Sequence, residues 1–158
     1  MKDDLRIGLG IDLHRLAKGR RCVLGGVIVE SPVGPDAVSD GDVILHAVCD
    51  AVLGAAGLDD LGSLFSDRDP ANRGRDSREF CAEVVRRIAG WRVVSLDTVV
   101  ECERPKLAPH RDAIRRSLAQ IFGMTPEQVN VKGKTGEGLD AIGRGEAIRA
   151  TAVALIRK

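Results

Sequence analysis

Residues 42–56, DVILHAVCDAVLGAA, constrain the fold of this chain more than any other stretch. A helix there is apolar over most of its circumference, with Leu45, Val48, Val52 and Leu53 among its apolar positions, so it has to be buried rather than laid on a surface. Ser39, followed three residues later by Asp42, resembles a capping box with Asp in the usual Glu or Gln place. The spacing predicts a helix from about Gly41 to Ala56, closed by Gly57. Asp42, His46 and Asp50 fall four apart on one stripe, which sets His46 at a polar edge of that helix. A buried helix needs a second layer to pack against, and the rest of the chain has to supply it.

Apolar and β-branched runs at Leu5–Leu13 and Cys22–Val29 read as two strands joined by the basic, glycine-containing AKGRR, after which ESPVGPDA breaks regular structure. LDDLGSLFSDRDPANRGRDS lacks clear periodicity and is long for a purely structural connection, which marks a lid or binding loop. Asp76 or Ser77 caps a second helix through Ile88, on the spacing of Phe80, Val84, Val85 and Ile88. WRVVSLDTVVEC reads as a strand and ERPKLAPH as a proline-punctuated loop. RDAIRRSLAQIFG reads as a third helix ending at Gly123, and VNVKGKT as a short strand. AIRATAVALIRK is apolar or small on both alternating faces, so periodicity leaves strand and helix open. The expected product is one α+β domain over residues 1–158, a mixed sheet covered by helices.

Composition excludes several function classes. The chain has 158 residues, 44% of them hydrophobic, enough for a core of its own. Charged residues make up 30% yet nearly cancel to a formal +1, so no overall field favours nucleic acid or an anionic membrane, and an anionic substrate must be caught locally. Phe65, Phe80, Phe122 and Trp91 are the whole aromatic set, which argues against a base-stacking platform. No window approaches the ~18 apolar residues of a membrane span. The start, MKDDLR, is short and acidic and does not resemble a targeting segment, so a cytoplasmic location is expected. Cys22, Cys49, Cys81 and Cys102 form no C-x-x-C pair and are expected to be reduced, buried thiols.

The chemistry begins at GIDLH, residues 10–14. Residues two apart share a face of a strand, so Asp12 and His14 project together, with Ile11 and Leu13 expected to turn into the core. With His46 they make an Asp/His/His set for Zn²⁺, or for Co²⁺ or Mn²⁺, that leaves a coordination position open as a catalytic site requires. D-x-H is also a common triplet, and an unrelated surface pair plus a helix histidine stays open beside the metal reading. His110, after Pro109 at a helix start, is expected to face solvent. GKTGEG fails as a Walker loop because position 128 holds Gln128 rather than glycine. KGKTGEGLDAIGRGE nonetheless sets Lys132, Lys134, Thr135 and Arg144 among glycines, either to wrap phosphate oxygens or simply to connect strands.

GIDLH, SDGDVILHAVCDAVLGAAGLDDLGSLFSDRDP, RPKLAPH, VNVKGKTGEG and GRGEAI come in the order and spacing of the 2-C-methyl-D-erythritol 2,4-cyclodiphosphate synthase family, which the chain resembles from Arg6 to Ile156. The resemblance implies conversion of 4-diphosphocytidyl-2-C-methyl-D-erythritol 2-phosphate to the cyclic diphosphate with release of CMP, in non-mevalonate isoprenoid biosynthesis. It also implies a homotrimer with active sites between subunits and a bacterial chorismate mutase-like fold whose sheets face a central channel. Asp12, His14 and His46 resemble the family's zinc ligands, and Glu137 its ligand for Mg²⁺ or Mn²⁺ on the substrate diphosphate.

Asp60, Leu61, Gly62, Phe65, Ser66, Asp67, Arg68 and Asp69 resemble the segment that holds the methylerythritol part. Cys102, Glu103, Arg104, Pro105, Lys106, Leu107 and Ala108 resemble the cytidine loop. Lys134, Thr135, Gly136, Glu137 and Arg144 resemble phosphate-binding positions, with Thr135 assigned to the charge that develops on the diphosphate. Backbone amides around Ser39 and the helix N-terminus are further phosphate donors.

Four departures stand out. The family commonly has a histidine immediately before S-D-G-D that helps to stabilise the transition state, and Val38 stands there. Loss of one such donor costs about 10² to 10³ in rate, so turnover is expected to be slow unless another donor substitutes. Lys134 and Gly136 replace frequent threonines, and Ala141 replaces a frequent aromatic near the trimer channel. The alternative implied by Val38 is a weakened trimeric paralogue that binds cytidine nucleotide or isoprenoid diphosphate.

Overall fold

In chain order the elements are β1 (Leu5–Lys18), β2 (Cys22–Leu24), β3 (Val27–Val29), β4 (Val33–Pro35), α1 (Val43–Ala55), α2 (Leu61–Leu64), α3 (Ser77–Arg87), β5 (Arg92–Glu101), α4 (Arg111–Ile121), β6 (Val129–Lys134), α5 (Asp140–Gly143) and β7 (Ala147–Arg157). The computed structural model describes residues 4–158, and the first three residues of the MKDDLR stretch lie outside it. Five strands form one sheet in the order β4-β1-β7-β5-β6, and β2 and β3 form a separate hairpin. Only the β5–β6 pair of the large sheet is parallel. The ambiguous last segment is thus a strand, inserted between β1 and β5. Its alternate residues Ile148, Ala150, Ala152, Ala154 and Ile156 are buried under the helices.

The expected buried helix is α1, and its partner layer is the face of β1 and β7. Contact is at backbone distance because β1 carries glycines where the helix crosses. A Cβ on Gly8 would stand 1.9 Å from the Ala51 carbonyl oxygen, and one on Gly10 would stand 1.9 Å from that of Ala47. Two residues along the strand therefore match four residues back along the helix, close to the ~6.7 Å and ~6 Å that the two geometries give. The next positions on the same face are Asp12 and His14, and they meet the start of α1, where His46 lies.

This packing overturns the expected orientation of β1. Ile11 and Leu13 do not enter the core: Ile7, Leu9, Ile11 and Leu13 are 55 to 72% exposed. The strand's inner face is Gly8, Gly10, Asp12 and His14, because only glycines admit the α1 backbone that closely.

Other boundaries shift for local reasons. β1 runs through Lys18, into AKGRR, and the Cys22–Val29 run is a hairpin whose turn is Gly25–Gly26, both at positive φ. ESPVGPDA contains the short edge strand β4, and the long segment after α1 contains α2 and a 3₁₀ turn at Pro70–Asn72. The N-cap of α1 is Asp42 rather than Ser39, whose hydroxyl accepts from the Gly41 N–H at 3.2 Å. Fully buried Asp42 accepts from Ile44 and Leu45 of its own helix at 3.1 and 3.0 Å, and from Gly25 and Gly26 at 2.9 and 2.7 Å. One carboxylate thus caps the helix and pins the β2–β3 turn to it. The four cysteines are free and buried as expected, although Cys49 and Cys81, distant in sequence, bring their sulfurs within 3.5 Å.

Candidate active site

β1 delivers Asp12 and His14 side by side, and the first turns of α1 deliver His46 opposite them. Asp12 Oδ2 lies 3.0 Å from His14 Nε2 and 3.0 Å from His46 Nδ1. The ligand atoms of all three lie within 4.8 Å of one another, on half-buried side chains. His14 Nε2 is buried and, despite that distance, aligned with no hydrogen-bond partner. An orphaned imidazole nitrogen beside a carboxylate, with a second imidazole nitrogen facing the same oxygen, is a donor set that fits a divalent ion.

Burial pushes the Asp12 carboxyl up, but the close approach and charge of His14 and the hydrogen bond and charge of His46 outweigh it and bring it down to about 2. Burial likewise depresses His46, and the Asp12 hydrogen bond and charge reverse this, so its pKa is raised. Each group thus favours the charge of the other.

The triad borders a cavity of about 310 Å³. Leu61, Gly62, Phe65 and Asp67 of the candidate methylerythritol segment line it, together with Val38 and Ser39. Asp60 does not enter: it caps α2, accepting from Ser63 N–H at 2.8 Å. The Leu61 N–H instead donates to Asp50 at 2.7 Å, which ties the segment to α1. Ser66 is turned to local bonding, its hydroxyl accepting from Arg68 N–H at 3.2 Å. Arg68 and Asp69 line an adjoining cavity with Arg20 and Arg73, and Ala37, Val38, Ser39 and Asp67 border both cavities. Val38 is 37% exposed and borders both cavities. Beside it the Arg20 guanidinium donates to the Ala37 carbonyl at 2.8 Å.

A second cleft, about 200 Å³, opens at the ends of β5 and β6. Cys102, Pro105, Lys106, Leu107, Ala108, Lys134 and Thr135 of the sequence candidates line it. Its loop turns on a cis Arg104–Pro105 bond. Glu103 accepts from the Gly136 N–H at 2.7 Å and so fastens the candidate cytidine loop to the candidate phosphate loop. Glu137 sits at φ 52, a left-handed conformation uncommon for a side chain other than glycine, with its carboxylate accepting from Thr135 Oγ1 at 3.4 Å. Ala141 lies in α5, and Arg144 pairs with Glu146 at 3.1 Å.

Among the described residues, none lines both the triad cavity and this cleft. Asp12, Ala150, Val100 and Gly133 stand in register across four strands, which puts the two sites three strand spacings, about 14 Å, apart at one end of the sheet. Glu137 is therefore not brought to the triad within one chain.

Sequence reasoning missed Ser77 and Asp40 as site residues, and Arg111 in the second cleft. His46 Nε2 lies 2.8 Å from Ser77 Oγ, and the Ser77 hydroxyl bonds to Asp40. Ser77 was legible only as a helix start. Its proximity to His46 has no periodic signal.

Fold and site together define a small α+β domain with an open Asp/His/His centre and a separate basic cleft suited to an anionic ligand. The chain belongs to the YgbB family, whose model matches residues 5–157. It is 50% identical, over 96% of its length and 92% of the relative's, to the 2-C-methyl-D-erythritol 2,4-cyclodiphosphate synthase of Desulfosudis oleivorans. Among solved structures it matches the bifunctional IspDF of Campylobacter jejuni with a TM-score of 0.94 and 31% identity, covering 99% of this chain and 43% of that one. It also matches a 2C-methyl-D-erythritol-2,4-cyclodiphosphate synthase in its CDP-bound form, with a TM-score of 0.88 and 42% identity over 96% of this chain and 99% of that one.

Proposed function

We propose that the chain is a phosphorus–oxygen lyase that converts 4-diphosphocytidyl-2-C-methyl-D-erythritol 2-phosphate to the 2,4-cyclodiphosphate and CMP, in the cytoplasm. The observation that carries this is the convergence of Asp12, His14 and His46 on one point beside the Leu61–Asp67 segment. The substrate's 2-phosphate is the nucleophile, so no protein general base is needed. It attacks the β-phosphorus, the new P–O bond forms as the bond to CMP breaks, and CMP leaves with that electron pair.

The protein's part is to hold nucleophile and leaving group in line. Lys106 and the 102–108 loop hold the cytidine end, while Lys134, Thr135, Gly136 and Arg144 take the diphosphate. Leu61, Gly62, Phe65 and Asp67 surround the methylerythritol, Arg68 and Asp69 flank it from the adjoining cavity, and Asp60 and Ser66 hold the segment in shape, with Ser39 amides toward the substrate phosphate. Zn²⁺ at the triad and Mg²⁺ or Mn²⁺ at Glu137 would supply Lewis-acid charge neutralisation when bound.

We also propose that the working form is a homotrimer of the bacterial chorismate mutase-like type, with each active site shared between subunits. Two features support this: the two clefts share no residue in one chain, and β1 presents Leu5, Ile7, Leu9, Ile11 and Leu13 to solvent, each 47% exposed or more. Sedimentation should give three chains per particle, and Ile11→Asp should shift the particle toward monomers. A monomeric wild type would refute the assembly.

The activity is tested by incubating the substrate with Zn²⁺ and Mg²⁺ and following ³¹P NMR. A cyclic diphosphate with matching CMP is expected. Binding without turnover would instead favour the weakened paralogue suggested by Val38.

A further inference from the structure

We infer that Asp40 and Ser77 are positioning residues that fix which nitrogen of His46 is free to ligate. Ser77 is the first residue of α3 and is fully buried. Asp40 precedes the cap of α1, and its two carboxylate oxygens are bound on both sides of the site. Oδ2 accepts from the Ser77 N–H at 3.0 Å, and Oδ1 accepts from the Asp42 N–H at 3.1 Å and from the Ser77 hydroxyl. A carboxylate only accepts, so the single hydroxyl proton of Ser77 is committed to Asp40. What Ser77 Oγ still offers is a lone pair, and it points at His46 Nε2, 2.8 Å away.

A lone pair there requires a proton on Nε2. In the neutral ring Nδ1 is then the bare nitrogen, and Nδ1 is the atom 3.0 Å from Asp12 Oδ2. A bare nitrogen and a carboxylate oxygen at that distance repel unless a cation lies between them. The Asp40–Ser77–His46 relay thus selects the ligating tautomer and makes the centre cation-seeking before any ion arrives. Outer partners of this kind typically change metal affinity by about 10- to 100-fold.

The inference rests on the metal reading of the triad, and the two can fail separately. The full chain, labelled with ¹⁵N-histidine and stripped of metal, is examined on the basic side of the imidazole titration. Three histidines are present, and the His110→Ala and His14→Gln spectra assign His46. The neutral ring is expected to carry its proton on Nε2, with Nδ1 the nitrogen whose resonance moves when Zn²⁺ is added.

In Asp40→Asn the amide can donate to Ser77, which frees the hydroxyl to donate to Nε2. The population should swing toward the Nδ1–H tautomer, with zinc affinity about 10-fold or more weaker. Ser77→Ala should lose the tautomer preference, and Ser77→Thr should restore both preference and affinity. A wild-type ring protonated on Nδ1, or Nε2 protonation and zinc affinity unchanged in Asp40→Asn, would overturn the relay. Wild-type protein that binds no Zn²⁺ while keeping the Nε2 proton would overturn the metal reading instead.

Discussion

Replacing Gly10 by alanine tests how the sheet and α1 assemble the centre. The added methyl would fall 1.9 Å from the Ala47 carbonyl oxygen and 2.6 Å from the Ala51 amide nitrogen. Ordinary contact begins near 3.4 Å, so strand and helix must separate by about 1.5 Å, and both colliding groups are backbone that cannot rotate away. The cost belongs at the upper end of overpacking, about 3 kcal/mol, or about 6–12 °C of melting temperature for a domain of this size. Asp12 and His14 ride on one of these elements and His46 on the other, and a metal centre tolerates only about ±0.2 Å in ligand distance. Gly10→Ala should therefore lower zinc affinity more steeply than stability, while cytidine nucleotide binding to the cleft on β5 and β6 survives in whatever fraction stays folded. Differential scanning calorimetry and zinc titration with a competing chelator read the two effects. A Gly10→Ala protein with wild-type melting temperature and wild-type zinc affinity would refute this account of β1 and α1.

His46→Ala should abolish zinc retention, and Lys106→Ala should weaken CMP by about tenfold through a lost charge-assisted contact while leaving metal content intact; plasma emission analysis and calorimetric titration separate them, and unchanged metal in His46→Ala refutes the ligand set. Val38→His should raise turnover by up to about 10² to 10³-fold if the valine is a deficit, whereas an unchanged rate would mean that a neighbour such as Arg20 already supplies the donor. Burial pushes the Asp42 carboxyl up to about 6, against the opposing pull of its backbone donors. A raised acid binds its proton more tightly in the folded state, so its contribution to stability falls as pH rises from the ordinary 3.8 through about 6. Urea midpoints should show this slope, at most about 3 kcal/mol, and Asp42→Asn should flatten it; an identical slope in both proteins would assign the pH dependence elsewhere.

What the sequence could show was set by the range over which each feature is determined. Helices α1, α3 and α4 were legible because their signals are local: apolar spacing, an Asp beside the first turn, a glycine after the last. The hairpin at Gly25–Gly26 and the edge strand at Val33–Pro35 were not, since three-residue strands carry too little pattern. The facing of β1 was misread because alternation sorts residues into two sets without saying which set meets the helix. The deciding signal lay in the same run: Gly8 and Gly10 share parity with Asp12 and His14, and glycine within a strand marks a close backbone approach. The triad was legible as residue types but not as a place. His46 is 34 positions from Asp12 and 31 from Ser77, and only the crossing of α1 over β1 brings them together.

In the proposed trimer the two faces of β1 would connect catalysis to assembly. Five apolar side chains on its outer face, Leu5 to Leu13, stay 47 to 72% exposed in one chain. Burying each fully is worth about 1.5–3 kcal/mol relative to exposure, so covering the part that remains would add roughly 4–9 kcal/mol per subunit. That is comparable to the whole net stability of an ordinary domain, so in the proposed trimer the contact would contribute a large share of what holds β1 in place. The strand whose outer face needs neighbours is the strand whose inner face carries Asp12 and His14. The cleft formed by Pro105, Lys106 and Leu107 stands about 14 Å away with no shared residue. In the proposed trimer, one contact surface would both hold the metal half-site in place and bring a neighbour's cytidine half-site to it. Substitutions on the outer face, far from any reacting atom, should then lower zinc affinity and turnover together.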